Sequence, residues 1–214
     1  MTDAEFINLV DKNRIIAFLR ADSANTALRA AEAAIIGGIK IIEVSLETPG
    51  EFRVIAELGR RFGDRACIGA GAVIHEEQID RAVKSGAEFI SLPFTNNQLI
   101  DACRRRRVFP LIGALTPTEI FNAWLAGASL ITVFPVSQVG GAQYIAALTS
   151  RMNGIRLLAS GNVAPEDVAD YFSAGAFAIS VGKRLFTKGD LQNQNYVAIA
   201  ERARGYRLQA GVSL

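Results

Sequence analysis

Short apolar runs that stop at glycine, proline or a polar residue alternate along the chain with longer stretches whose apolar residues recur at helical spacing. The runs Ile15-Ile16-Ala17-Phe18-Leu19, Ile39 to Glu43, Cys67-Ile68-Gly69-Ala70-Gly71 and Phe89-Ile90-Ser91-Leu92 predict four strands. Phe109 to Gly113, Leu130 to Phe134, Ile155 to Ser160 and Ala178 to Val181 predict four more. Helical signals lie between them. Asp22-Ser23 offers an N-cap to an alanine-rich helix over 24–36, closed by Gly37-Gly38. A second helix is expected from about Gly50 to Phe62, and Thr116-Pro117-Thr118-Glu119 combines a capping box with proline at the first helical position. Pro165 opens another helix, the last runs roughly from Tyr196 to Leu208, and residues 2–13 form a short helix or arm before the first strand.

One pattern occurs four times. Gly38-Ile39-Lys40-Ile41-Ile42-Glu43 is echoed by Gly86-Ala87-Glu88-Phe89-Ile90-Ser91, Gly127-Ala128-Ser129-Leu130-Ile131-Thr132 and Gly175-Ala176-Phe177-Ala178-Ile179-Ser180. The leading glycines stand 48, 41 and 48 residues apart, a spacing that fits two strand–helix units. Glu43, Ser91, Thr132 and Ser180 should therefore come from alternate strands and share a layer. Eight strands alternating with helices imply a parallel sheet, open or closed. The two-unit repeat favours a closed (β/α)8 TIM barrel, whose interior is filled in layers of four by alternate strands. The expected organisation is a single TIM-barrel domain over 1–214. Its barrel covers about 15–189, preceded by the short N-terminal helix, and a C-terminal helix and tail occupy 190–214.

Composition narrows the function classes. Half of the 214 residues are apolar and the formal net charge is +2, which supports a large core and points to no charged partner. The run Arg104-Arg105-Arg106-Arg107 closes a predicted helix, where cations complement the dipole, and no aromatics interleave with it; no nucleic-acid partner is expected. There is no signal-like start and no apolar stretch of membrane-spanning length, so no membrane partner is expected either. Cys67 and Cys103 read as reduced, buried thiols of a cytoplasmic protein. His75 is the only histidine and reads as a surface residue at a helix start; no ligand cluster predicts a metal, and no cofactor is expected. Trp124 reads as a packing residue.

In this architecture chemistry sits at the C-terminal ends of the strands, here Arg20, Glu43, Gly71, Ser91, Thr132, Ser160 and Gly182. A carboxylate at the top of an apolar barrel loses hydration, which raises its pKa and suits Glu43 to acid/base work. The alternative is an ion pair between Glu43 and Arg20. Ser160-Gly161-Asn162 and Gly182-Lys183 offer small residues, backbone N–H groups, a hydroxyl and an ammonium after strands seven and eight, where such barrels bind phosphate. The alternative there is ordinary turn chemistry with a solvated lysine.

Several of these segments together resemble the KDPG/KHG aldolase family, lyases that split 2-keto-4-hydroxy acids to pyruvate and an aldehyde. They are Phe18-Leu19-Arg20-Ala21, Gly37-Gly38-Ile39, Ile42-Glu43-Val44-Ser45-Leu46, Gly69-Ala70-Gly71, Gly86-Ala87-Glu88-Phe89-Ile90, Thr116-Pro117-Thr118-Glu119 and Phe134-Pro135, within a likeness spanning about residues 15–189. The resemblance implies a TIM barrel, commonly a homotrimer, acting on a small 2-keto acid or sugar-acid phosphate. It implies Glu43 as general acid/base and a substrate site formed by Arg20, Gly71, Ala72, Phe134 and Pro135. It also implies departures. The family's Schiff-base lysine lies three residues before the proline of Phe134-Pro135, and that position is Thr132, which cannot form an imine. Gly-Ala-Gly-Thr becomes Gly69-Ala70-Gly71-Ala72, the phosphate loop Pro-Thr-Gly-Gly becomes Ala159-Ser160-Gly161-Asn162, and Glu47 stands where some members have a substrate-binding arginine. Lys183 is the only lysine at the correct end of a strand, so the lyase would use either Lys183 as its imine-forming amine or no covalent step, phosphate binding being the simpler role for Lys183. The expected function is thus an aldolase-type lyase using Glu43, the alternative a catalytically silent or repurposed barrel that binds a small carboxylate or phosphate.

Overall fold

The computed structural model describes residues 1–212. It begins with helix α1 (Asp3–Asn13), strand β1 (Ile15–Leu19), α2 (Ala24–Ile36), β2 (Ile41–Ser45), α3 (Glu51–Phe62) and β3 (Cys67–Gly71). There follow α4 (Glu76–Lys84), β4 (Phe89–Leu92), α5 (Asn97–Arg105), β5 (Phe109–Ala114), α6 (Pro117–Leu125) and β6 (Ile131–Val133). The chain continues through α7 (Ala142–Thr149), β7 (Leu157–Ser160), α8 (Val168–Ser173), β8 (Ala178–Val181), a short α9 (Lys188–Gln192) and α10 (Tyr196–Gln209). All neighbouring strands pair in parallel, and β8 returns to β1, so the sheet closes in chain order as a (β/α)8 barrel. The tail expected at the C-terminus lies, beyond residue 212, outside the described residues.

Strand alternation splits the buried apolar residues into two clusters. Ile15, Ala17 and Leu19 of β1 face outward among the helices, whereas Ile16 joins Ile41, Cys67, Phe89, Phe109, Leu111, Leu130, Leu158 and Ala178 inside the barrel. The N-terminal end of this interior is stoppered by α1. Phe6 and Val10 are fully buried there, and the Phe6 ring lies 4.2 Å from that of Phe109 and 5.0 Å from that of Phe89. The helix is held at its start by a reciprocal capping box between Thr2 and Glu5. With one end stoppered, the mouth at the C-terminal strand ends is the way in.

Local details differ from the sequence pattern in five places. β2 starts two residues later than its apolar run and ends two beyond Glu43, because pairing with β3 continues to Ser45 and Gly71. β6 covers only Ile131–Val133, because pairing stops at Pro135, which has no N–H to donate; Leu130 still fills the barrel interior. β7 begins at Leu157, two residues later than its apolar run. Pro165 opens a 3-10 turn (Pro165–Asp167), and the α-helix starts only at Val168. Trp124 is not a core residue. Helical spacing turns Ile120 and Ala123 inward, leaving Trp124 half exposed and stacked on Phe121 at 5.8 Å.

Three of the four arginines in the run make structural contacts. Arg106 makes a two-pronged contact with Asp80 at 2.6 and 2.8 Å, Arg105 and Arg106 both reach Glu76 at 3.0 Å, and Arg104 donates to the Ala126 carbonyl at the end of α6. Cys67 and Cys103 are buried free thiols, as expected, and His75 is the exposed N-cap of α4.

Phe6→Ala should leave the barrel folded at room temperature but cost about 3–5 kcal/mol, since it opens a void at the stoppered end. Urea unfolding checks the loss of stability, and calorimetry should show a fall in Tm on the order of 10 °C. A stability equal to that of the unaltered chain would show that α1 does not seal the interior.

Candidate functional site

Two glycines determine where the site's carboxylate goes. The inward positions of β3 are Cys67, Gly69 and Gly71. A Cβ on Gly69 would overlap the Phe89 ring, and one on Gly71 would overlap Glu43 Oε1. Glu43, paired in register with Gly69 and one pleat below Ser45, therefore lays its carboxyl group over the bare backbone of Gly71. It is 5% exposed. Ser91 of β4 hydrogen-bonds to it, which places the two repeat-related residues in contact. Burial pushes the Glu43 carboxyl up to about 7, and the Ser91 hydroxyl offsets only part of that rise. The group is thus divided between acid and carboxylate at neutral pH.

The other repeat-related positions complete the layer. Leu130 lies in the interior cluster while Ile131 and Val133 belong to the outer one, so alternation turns Thr132 inward on β6, across the barrel from β2. Its Oγ1 is sealed from solvent and has no hydrogen-bond partner. A buried hydroxyl left unpaired costs about 1–3 kcal/mol, and such groups call for an explanation. Ser180 of β8 is buried and pairs in register with Ser160 of β7. Hydroxyl groups thus line the walls that face Glu43.

Arg20 does not pair with Glu43. It follows β1 at the rim, its side chain is 62% exposed, and its guanidinium pairs with Glu47. The buried Thr48 hydroxyl accepts from the Ala21 N–H at 3.3 Å and pins the β1 and β2 loops together, which keeps Arg20 beside Glu47 and above the layer of Glu43. That separation overturns the ion-pair alternative and explains why Glu43 stays undischarged by any cation.

After β7, Gly161 and Asn162 both have left-handed backbone (φ 111° and 57°). Gly161 abuts Phe134 and Pro135, where a Cβ would lie 3.0 Å from Pro135 Cα. Arg184 donates from Nε to Asn162 Oδ1 at 2.9 Å, joining the β7 and β8 turns. Lys183 is exposed, Gly182 packs beside Phe18, and Phe134 and Ala72 are exposed at the rim. The fold gathers Glu43, Gly71 and Ser91 most closely, with Thr132 on the facing wall; Arg20, Lys183 and Asn162 stand higher, on the loops. Two participants escaped the sequence reading. Ser45 is a buried inward hydroxyl directly above Glu43, for which only its two-residue offset was a signal. Arg184, next to Lys183, had no signal but its charge. Among the described residues no group of three His, Cys, Asp or Glu side chains could hold a metal ion.

The family model described as "Aldolase: KDPG and KHG aldolase" matches residues 6–202. The chain is 31% identical over 194 residues to the 2-dehydro-3-deoxy-6-phosphogalactonate aldolase of Escherichia coli (strain K12), covering 90% of this chain and 94% of that one. Among solved structures, one described as native KDPGal superposes with a TM-score of 0.80 at 31% identity, covering 92% and 96% of the two chains. A Legionella pneumophila KDPG aldolase with pyruvate captured as a covalent carbinolamine superposes at 0.86, with 94% and 97% covered; at 23% identity this shows the fold alone.

The position of Glu43 has a thermodynamic signature. Its folded pKa, about 7, exceeds the value of 4.5 for the free group, so folding takes up a proton between those pH values. Stability should therefore fall as pH rises from about 4.5 to 7 and level off above, by an amount on the order of 3 kcal/mol. Glu43→Gln should remove this component. Urea unfolding should find the variant more stable than the unaltered chain at pH 8, with the difference shrinking toward pH 5; parallel profiles would contradict a dry, unpaired carboxyl.

Proposed function

Because the chain belongs to the KDPG and KHG aldolase family, we propose that it is an aldolase-type lyase acting on a small 2-keto acid at the barrel mouth, with Glu43 as its acid/base. The observation that carries this reading is the buried, half-ionised Glu43 carboxyl, held over Gly71 where substrate would lie. In cleavage of a 2-keto-4-hydroxy acid, Glu43 takes the proton of the C4 hydroxyl, the C3–C4 bond breaks, and an aldehyde leaves. The electron pair stays on the pyruvate fragment, to be protonated at C3. Thr132, at the position where the resemblance puts lysine, leaves that pair on an enolate instead of an enamine.

Arg20 would meet the substrate carboxylate, exchanging its exposed partner Glu47 for it, while Gly71, Ala72, Phe134 and Pro135 shape the adjoining wall. Ser160, Gly161, Asn162, Gly182 and Lys183 would receive a phosphate, and the substrates named for the relatives carry one. A second reading, a barrel that binds such acids without cleaving them, is favoured by Thr132 itself. Exposed Phe121, Trp124 and Leu125 on α6 support assembly as a homotrimer, and the two buried free thiols support a reducing, cytoplasmic setting.

The test is chemical. Incubation with pyruvate and borohydride followed by mass measurement should give no adduct on the unaltered chain and one adduct on Thr132→Lys, because the inward position would present an amine beside Glu43. Release of pyruvate from 2-dehydro-3-deoxy-6-phosphogalactonate or its gluconate isomer should be slow and should vanish in Glu43→Gln. Substrate that stabilises the protein but is never cleaved would establish the binding barrel in place of the lyase. Light scattering should give three times the chain mass, and Trp124→Glu should reduce it to one; a monomeric unaltered chain would refute the trimer.

A further inference from the structure

Resting on that reading, we infer a further activity: the mouth exchanges the C3 protons of a 2-keto acid with water through a non-covalent enolate, with Glu43 as base and the Thr132 hydroxyl as donor to the 2-oxo oxygen. Two observations meet here. Thr132 Oγ1 is a buried donor with nothing to donate to, and it lies on the wall facing the one buried carboxyl group of the layer. A ligand held between β2 and β6 would present its C3 hydrogens to Glu43 on one side and its carbonyl oxygen to Thr132 on the other. The residue as a whole is only half-buried while its oxygen is sealed, and a single step between staggered χ1 wells moves the hydroxyl to another position on Cβ. A carbonyl oxygen in the mouth gives that step a reason, because it supplies the missing acceptor.

The atoms balance without a further reactant. Glu43 takes a proton from C3, the C–H pair forms the C2–C3 double bond, and the C2–O π pair moves to oxygen. Thr132 keeps its proton and donates a hydrogen bond to that enolate oxygen. Glu43 trades its proton with solvent, then protonates C3, so the keto acid is regenerated with a solvent hydrogen. Because burial holds the Glu43 carboxyl near 7, both of its forms are populated at neutral pH. Cleavage needs this enolate and, in addition, the breaking of a carbon–carbon bond and departure of an aldehyde. Exchange needs the enolate alone, so pyruvate suffices as the probe.

Pyruvate in D2O with the full-length protein should lose its methyl proton signal in NMR faster than in matched buffer, with a rate that rises through the Glu43 titration near neutral pD. Glu43→Gln should reduce the rate to that of buffer. Thr132→Val, which keeps the shape and removes the donor, should lower it roughly 100-fold, the scale of a lost oxyanion donor, while Thr132→Ser should stay within about tenfold of the unaltered chain. Thermal shift with pyruvate reports folding and binding of every variant. Exchange at the buffer rate by a chain that binds pyruvate overturns the inference and leaves 2-keto-acid binding standing, as does Thr132→Val exchanging like the unaltered chain. A borohydride adduct on the unaltered chain overturns it by showing a covalent route. Failure of pyruvate and of the longer phosphorylated keto acids to bind at all removes the underlying reading and the inference together.

Discussion

A closed barrel of eight strands has an interior only wide enough for side chains to fill, so every inward residue sets the size of its neighbours. Gly69 and Gly71 exist within that constraint. The first makes room for the Phe89 ring, which in turn packs against the Phe6 stopper; the second makes room for the Glu43 carboxyl. From one end of the barrel to the other, small residues on β3 thus admit large ones on β2 and β4. A methyl group at 71 would collide with the carboxyl oxygen and force Glu43 out of the layer. The placement of the carboxyl is therefore a packing result before it is a chemical one.

Its chemistry follows from the same packing. A carboxyl buried over Gly71 inside the barrel, with one serine hydroxyl for company, loses far more hydration than the hydrogen bond returns. A guanidinium beside it would reverse the effect by favouring the charged form. The loops prevent this, since Thr48 ties the β1 and β2 turns so that Arg20 meets Glu47 at the surface. An exposed pair of this kind contributes little to stability, so a substrate carboxylate can take the place of Glu47 at small cost. On the proposed reading the cation would position an anion and the carboxyl would move a proton.

The barrel and its layer were legible because four repeats placed a polar residue at the same offset after a glycine, and strand alternation carries such an offset into space without change. Glu43 with Ser91 is the direct product of that regularity. The Arg20 contact was not legible: it depends on loop residues Glu47 and Thr48, whose arrangement no periodicity encodes. Trp124 misled for a related reason, since an aromatic residue on a helix face reads as core until the neighbouring Ile120 and Ala123 fix which face is turned inward. Arg184 reaches Asn162 only because two turns, far apart in the chain, are brought together by the pairing of β7 with β8.

On the proposed reading, Thr132 at the position the resemblance gives to an imine-forming lysine would separate two tasks that such a lysine performs with one group. A lysine both holds the keto carbon and supplies a cationic sink for electrons. A threonine hydroxyl can only donate a hydrogen bond to the carbonyl oxygen, which stabilises charge on that oxygen by less than a covalent, positively charged nitrogen does. On that reading the proton-transfer half of the site would rest on Glu43, whose burial raises its carboxyl to about 7. The electron-accepting half would then rest on neutral hydroxyl donors such as Thr132, Ser91, Ser160 and Ser180. Such a site favours reactions whose intermediates carry partial, briefly held charge over those that must expel a carbon fragment. On the proposed reading the scope of the chemistry would be set less by the base than by how much negative charge a ring of hydroxyls can hold.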